Sequence, residues 1–598
     1  IDFGTTNSVV ASNMPRTEKL TFESRVRFPI VGQGSEDNDR SDWKWSYIEF
    51  MPLMAQAMPL PTVMRDRTVD GWSAAEMERL RQDKRPLFPD SIFFIPGVLA
   101  KTPKGLELRR HIDESIVREK DKLIFDLKWS ADPEVQRFAD HFRQQLLLMS
   151  AAELAAAGYD PLKIAWRFSY PEALRRGGQD SHLNDSFREA LDRLFPDRER
   201  EYGGQPTLRR FSEGEAAAQF FAGQANAPLS VILDIGGGTT DVAIWATRDV
   251  PTMVWHGSFK LAGGDFLTHF LVNNPAFLKA LRIDEIEKVR SSFTDEPSDL
   301  LRKSRFLRGS PTLKDMAELF YNDERFPQRF ADAYVEQRQT PLGAAMRASA
   351  LTAVGGLMFY IGRMMRQLVD ADARPGQALR PDKLYEADFD SVSVAYGGRG
   401  ALFLKTLRGM DPQESRVIRG LTQMMVEAAE VRDPSARPQI HFSPQPKLET
   451  VLGMLREGDF ADKGQAREGV VHILPLGETL SFADGANVNP WSGVDQALGR
   501  TLAERPKLEV FDLFLEQLSK NVGMDIDTRT GSASREIADY VNQRLLEDIS
   551  RAAKLAKLST AQQAAEIEPP FITALRALTN VMGKSVAERD RKLTVTER

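Results

Sequence analysis

The sequence predicts an α/β chain of two lobes followed by a mainly helical region, and three observations predict it. The first is Val231-Ile-Leu-Asp234-Ile-Gly236-Gly237-Gly238-Thr239-Thr240-Asp241-Val-Ala-Ile-Trp245, two apolar runs joined by glycines and threonines. The second is the same grammar at the start of the chain, Ile1-Asp2-Phe3-Gly4-Thr5-Thr6-Asn7-Ser8-Val9-Val10-Ala11. The third lies near the end. There Leu508, Phe511, Phe514, Leu515 and Leu518, and then Ile537, Tyr540, Val541, Leu545 and Ile549, recur at three and four residues, the period of a helix.

Apolar, β-branched runs on either side of a short Gly-rich segment read as a hairpin. Successive glycines without Cβ atoms let backbone N–H groups approach a polyanion and take positive φ at little cost. Asp234, at the end of the incoming strand, would then face a metal–phosphate complex. Three glycines alone also suit an ordinary tight turn, but the flanking Asp, Thr, Thr and Asp argue for a ligand. A third strand, Val392-Ser-Val-Ala-Tyr396, runs into Gly397-Gly398-Arg399-Gly400.

Between these landmarks the chain reads in order. Residues 31–45 are polar and rich in Gly and Asp, which predicts an exposed loop or insertion. Ser91 to Pro96 predicts a buried strand. Val135, Phe138, Phe142, Leu146, Met149 and Leu154 lie on one face of a helix over 134–157, ended by Gly158. A strand from Lys163 stops at Pro171. Ala216, Ala217 and Ala218 suit close helix packing or a plain N-terminal turn. Residues 282–370 predict charged helices, within which Ala348–Gly362 is a 15-residue apolar run between Arg347 and Arg363. That is shorter than the roughly 20 residues a bilayer requires, so it predicts a buried core helix. Pro569-Pro570 precedes another amphipathic helix, Phe571 to Met582.

At 598 residues the chain is too long for one core. With 42% hydrophobic and 27% charged residues it has the composition of a soluble protein. A net charge of −6 offers no footprint for nucleic acid or an anionic membrane, so neither nucleic-acid binding nor membrane insertion is expected. The absence of cysteine excludes disulfides and thiolate chemistry and suits the cytoplasm. No signal peptide is visible, and the opening on a motif residue suggests that residues precede Ile1. Three lures are set aside. Gly583-Lys584-Ser585 lacks the leading glycine and strand of a P-loop. Asp525, Asp527 and Glu536 have Arg529 and Thr530 where a calcium loop needs an acceptor and a glycine. The seven histidines include no pair at metal-binding spacing.

In order and rough spacing, the two Asp-Gly-Thr hairpins and the Gly397-Gly398 turn resemble the phosphate-one, phosphate-two and adenosine motifs of the actin, sugar-kinase and heat-shock ATPase superfamily. The wording is closest to the seventy-kilodalton heat-shock (DnaK-like) chaperones. Phe125-Asp126-Leu127-Lys128 is similar to that family's Phe-Asp-x-Lys segment, though an ordinary surface lysine fits Lys128 equally well. Pro59 to Val63 resembles a first-lobe strand, and Arg210-Phe-Ser-Glu213-Gly214-Glu215-Ala216 resembles Asn-Glu-Pro-Thr-Ala-Ala-Ala. Gly214 and Glu215 depart from the family there, which leaves the coupling of the lobes open. Leu261-Ala-Gly263-Gly264-Asp-Phe resembles a phosphate- or ribose-contacting helix start, and Lys447-Leu-Glu449-Thr-Val-Leu-Gly453 a connecting helix. Arg302, Lys303 and Arg305 lie where the family's adenine-clamping basic residues arise, but none can be assigned. Val470 to Thr479 resembles the apolar interdomain linker.

The resemblance covers residues 1–24 and about 125–460. It implies a two-lobed actin-like ATPase fold of duplicated ribonuclease-H-like lobes. The expected division is a first lobe over 1–220 with an insertion over about 25–124, a second over 221–458, and a mainly helical region over 459–598. It implies ATP/ADP and Mg2+ as cofactors. Asp2 and Asp234 would hold the hydrated metal. Gly4, Thr5, Thr6, Asn7, Gly236, Gly237, Gly238, Thr239, Thr240, Gly263, Gly264, Gly397, Gly398 and Arg399 would contact the nucleotide. Glu213 and Asp241 would position the attacking water, with Thr239 beside them and Lys128 neutralising charge. A slow ATPase switch with a protein partner or client is expected, and an actin-like filament protein or a small-molecule kinase are the alternatives. The helical end predicts an appendage in place of the family's peptide-binding sandwich, and the family's acidic tail is absent from an ending in Leu-Thr-Val-Thr-Glu-Arg.

Overall fold

The computed structural model describes residues 1–4, 7–13, 17–19, 27–30, 46–49, 60–66, 91–93, 123–124, 127–128, 133–156, 158–160, 163–171, 179–194, 208–221, 229–247, 251–259, 261–263, 326–372, 392–401, 403–404, 407, 415–430, 438–456, 480–488, 500–501, 508–527, 533–558, 569–587 and 594–597. It is a mixed α/β protein. Strands β1 (Asp2–Phe3) and β2 (Asn7–Val9) form the first hairpin, antiparallel, with Asp2 opposite Val9. Further hairpins follow, β3 (Ala11–Asn13) with β4 (Thr17–Lys19) and β5 (Arg27–Ile30) with β6 (Ser46–Glu49). Strand β7 (Leu60–Pro61) pairs with β2, and the Thr62 and Ser8 hydroxyls bond at 2.9 Å. β8 (Met64–Asp66) lies between β9 (Ser91–Phe93) and β10 (Leu123–Ile124). The 31–45 segment lies outside the described residues.

Helix α1 (Pro133–Ala156) buries Phe138, Phe142 and Leu146, as its apolar spacing predicts, and gives way at Gly158. Strand β11 (Trp166–Tyr170), helix α2 (Gln179–Leu194) and strand β12 (Leu208–Ser212) follow, with β12 parallel to β11. The Ser169 amide donates to the Ile1 carbonyl at 3.0 Å, which sets β11 against β1. The strands therefore run β7-β2-β1, then β11-β12, around a core that includes Phe3, Phe142, Phe168 and Phe187.

The same plan occurs a second time. Strands β13 (Leu229–Ile235), β14 (Thr240–Thr247), β15 (Pro251–Phe259), β16 (Val392–Gly397) and β17 (Gln439–Phe442) form one sheet in the order β15-β14-β13-β16-β17. The first three are antiparallel, and β16 and β17 run parallel to β13. Asp2 in β1 and Asp234 near the end of β13 hold corresponding places in the two sets, each directly before a Gly-containing turn.

Between β12 and β13 lies α3 (Glu213–Phe221). After β15 come α4 (Phe326–Gln337) and α5 (Pro341–Asp372). The expected run of charged helices is only partly correct. Residues 282–325 lie outside the described residues, while α5 is an apolar core helix whose central residues are buried. Its segment Pro341–Arg366 is long and apolar enough to cross a bilayer by length and composition, yet 83% of its most apolar stretch is buried inside the protein. Helix α6 (Ser415–Ala428) packs along it, and α7 (Glu449–Leu455) follows β17.

The C-terminal elements are a hairpin of β18 (Leu480–Ser481) and β19 (Asn487–Val488), then α8 (Glu509–Val522), β20 (Met524–Asp527), α9 (Ala533–Leu558), α10 (Pro570–Ala587) and β21 (Thr594–Glu597). The helices fall where the periodicity predicts. They pack into the core of the second sheet: the Phe571 ring centroid lies 5.5 Å from Phe359, 5.8 Å from Tyr360 and 5.6 Å from Phe514. Gly583, Lys584 and Ser585 are helical, and Asp525 and Asp527 lie on β20, which pairs with β21. Residues 470–479 are outside the described set.

Helices α3 and α7 meet at a very close backbone contact. A Cβ on Gly453 would lie 1.7 Å from the Ala216 carbonyl oxygen, so only glycine fits. Arg456 then donates to the Gln219 and Phe220 carbonyls, at 3.0 and 2.7 Å, at the end of α3. Gly453→Val should therefore destabilise the fold by about 3 kcal/mol. Gly158→Ala, where φ is +90° but the surrounding space is open, should cost about 1 kcal/mol. Chemical denaturation of both variants measures the difference, and equal losses would contradict the contact.

Candidate functional site

The ends of the two inner strands, β1 and β13, and the start of α3 bring charged side chains into one buried cluster. β12 hands the chain to α3 so abruptly that Glu213 is the first helical residue, with Ser212 accepting the Glu215 amide at 3.1 Å. Lys128 is buried, which settles its two readings against a surface lysine, and its ammonium donates to Glu213 Oε1 at 2.5 Å. Asp2 Oδ1 accepts from the Ser169 hydroxyl at 3.0 Å, and Oδ2 accepts from the Lys447 ammonium at 2.6 Å. Asp234, on the partly exposed rim of the cluster, accepts from the Thr450 hydroxyl at 2.6 Å.

Asp241, the first residue after Thr240 in the central hairpin, pairs across the ladder with Asp234. Its Oδ2 accepts from the Thr239 hydroxyl at 3.2 Å, and its buried Oδ1 has no hydrogen-bond donor among the described residues. Burial pushes this carboxyl well above the usual range, and the charges of Glu213 and Asp234 push it further. Burial also raises Glu213 against the pull of Lys128, and raises Asp234 against the pull of Lys447. Asp2 goes the other way. Burial alone would raise it, but Lys447 and Lys128 together hold it below the ordinary carboxylate range.

The glycine segments lie against one another beside these charges. Gly236 donates to the Thr239 carbonyl at 2.9 Å, closing the turn, and Gly263 donates to the Gly236 carbonyl at 3.0 Å. The Gly400 amide donates to Ile235 at 2.7 Å. Gly398 has a φ of +77°, and a Cβ there would lie 2.4 Å from Asp234 Oδ1. The backbone can approach that carboxylate only because no side chain intervenes. Gly237 and Gly238 are half-buried at the turn, Gly4 and Gly397 are buried, and Arg399 is half-buried. The buried Thr240 hydroxyl donates to the Leu261 carbonyl at 2.6 Å, tying the hairpin to the Gly263 segment. Thr5, Thr6 and Gly264 lie outside the described residues, as does the side chain of Asn7, whose backbone is in β2.

These residues fit a hydrated divalent ion. Among the described residues no three carboxylates or imidazoles converge on one point. Mg2+ needs no such cage, since it keeps several waters and takes one or two carboxylates with the rest from phosphate. Asp2 and Asp234 would be those two carboxylates, and the half-buried Gly237 and Gly238 leave the backbone open to phosphate oxygens.

Three members of the cluster are absent from the sequence-based set: Lys447, Glu449 and Thr450. The segment over 447–454 reads as a packing helix because Gly453 dominates it, yet its polar residues at 447, 449 and 450 point to the cluster. Glu449 accepts from the Gly398 amide at 3.2 Å. Burial, with Asp234 nearby, raises Glu449 to about 8. No protein-family model matches the chain, and no curated protein matches it.

A proton on Glu449 in the folded state makes stability pH-dependent. Below about 4.5 both folded and unfolded chains hold the proton and its full contribution is present. Between about 4.5 and about 8 only the folded chain holds it, so stability falls as pH rises. Glu449→Gln should flatten that fall in denaturation measured across the interval. An unchanged slope would place the proton elsewhere.

Proposed function

We propose that the chain is a Mg-ATP-binding, slowly hydrolysing ATPase that uses the nucleotide as a conformational switch between two actin-like lobes. The observation that carries this reading is the repeated strand plan, which sets Asp2 and Asp234 at equivalent strand ends beside Gly-containing turns. A mixed sheet of three antiparallel strands continued by two parallel ones supports a ribonuclease-H-like lobe. Its recurrence supports a duplicated pair. The motif resemblance supports the DnaK-like chaperones as the nearest relations and a protein partner or client as the recipient of the switch.

The mechanism follows from charge placement. Asp2 and Asp234 would hold Mg2+, which would supply neutralising charge for the phosphate oxygens. Thr239 and the amides of Gly237 and Gly238 would hold the terminal phosphate. Glu213 and Asp241, both raised by burial, are stronger bases than exposed carboxylates and would orient a water and draw on its proton. Lys128, already seated on Glu213, would offset charge developing on the transferred phosphoryl group. Its ion pair also restrains Glu213, which supports slow turnover. The α3–α7 contact supports a route by which events at Glu213 and Asp234 move the two sets of strands relative to each other.

Purified protein should bind ATP in the presence of Mg2+ and hydrolyse it slowly to ADP. Asp234→Ala should abolish the metal-dependent part of ATP binding. Glu213→Ala should leave binding intact and slow hydrolysis about 10²-fold or more. Wild-type turnover by Glu213→Ala would remove that residue from the mechanism, and phosphoryl transfer to a sugar or acid in place of water would favour a kinase.

A further inference from the structure

Lys447 stands out on two grounds. Its ammonium donates to Asp2, one of the two carboxylates placed to hold metal, at 2.6 Å. Its backbone has a φ of +81°, a region that costs a residue with a side chain about 1–2 kcal/mol. The turn that carries it is fixed at both ends. Ser443 donates from its amide to the Tyr396 carbonyl at 2.9 Å, and Leu448 donates to Gln445 at 3.0 Å. Two residues later α7 begins, the helix that locks onto α3 through Gly453.

Both oxygens of Asp2 are thus engaged, one by Ser169 and the other by Lys447. A divalent ion that takes Asp2 as a ligand comes up against that ammonium and meets it with like-charge repulsion. We infer that Lys447 is a built-in counter-ion of the metal site, exchanged for the divalent ion when metal and nucleotide bind. This inference rests on the Mg-ATP reading. Its consequence is that the site resists free metal and accepts it together with the phosphates, which give the displaced ammonium a new anionic partner. Because Lys447 immediately precedes α7, the exchange also reports occupancy of the site to the α3–α7 contact.

The test is Mn2+ binding to the full chain without nucleotide, followed by the resonance of free Mn2+, with Mg-ATP binding measured calorimetrically on the same samples. Lys447→Gly removes the ammonium and relieves the positive φ; Lys447→Asn, which also tolerates that φ, serves if the glycine variant is unstable. An opposite charge this close moves a carboxylate's proton affinity by about one to three units, and the same pull acts against a second cation. Mn2+ should therefore bind either variant about tenfold or more tightly than wild type, the lower end of that range. Unchanged or weaker Mn2+ binding, with Mg-ATP binding intact in wild type, overturns the exchange. In that case a loss of ATP affinity alone would make Lys447 a plain phosphate ligand. Failure of wild type to bind Mg-ATP at all overturns the underlying reading and this inference with it.

Discussion

The structure is organised around a concentration of charge: buried Asp2, Glu213, Asp241 and Lys128 meet half-buried Asp234 and Lys447 at the rim. An ionised carboxylate is expensive to bury and stays so only when paired or hydrogen-bonded. Here the pairing is incomplete. Asp2 is held down by lysine, whereas Asp234 and Asp241 are pushed up, and Asp241 Oδ1 has no donor among the described residues. A purely structural core gains nothing from such an arrangement, and hydrophobic replacements of the same volume would serve stability better. The imbalance is what a site for a cation and a polyanion requires.

Holding those charges in register falls to the backbone. Each inner strand delivers one aspartate, and the ladder between β13 and β14 sets Asp241 opposite Asp234. The start of α3 delivers Glu213, and the turn before α7 delivers Lys447, Glu449 and Thr450. Two of these suppliers, α3 and α7, touch through Gly453 and Ala216 with no room for a side chain. Any shift of one helix therefore moves the other. On the proposed reading, chemistry at Glu213 and ligation at Asp234 would be mechanically joined through that contact.

Much of this was legible in the sequence. The hairpins, the strand before Gly397, the helix over 133–156 and the C-terminal helices follow from local periodicity and turn chemistry, which the fold only has to accept. Gly453 was legible as a packing glycine for the same reason. Lys128 was ambiguous, because nothing local separates a buried lysine from a surface one until Glu213, far away in sequence, arrives beside it. Lys447, Glu449 and Thr450 were invisible as site residues for a related cause: their partners Asp2, Gly398 and Asp234 come from other strands. The fusion of the C-terminal helices into the second core, sealed by Phe571 against Phe359 and Tyr360, is likewise a tertiary choice between packing partners that amphipathic spacing leaves open.

The central claim is that the buried carboxylates and the glycine cradle together hold a metal–nucleotide complex. Calorimetric titration of the full chain with ATP, once with Mg2+ and once with the metal chelated, tests it most directly. The account predicts one nucleotide per chain, bound at least about tenfold more tightly with Mg2+ than without, a difference of about 1.4 kcal/mol. Absence of binding, or equal affinity with and without the metal, would contradict it.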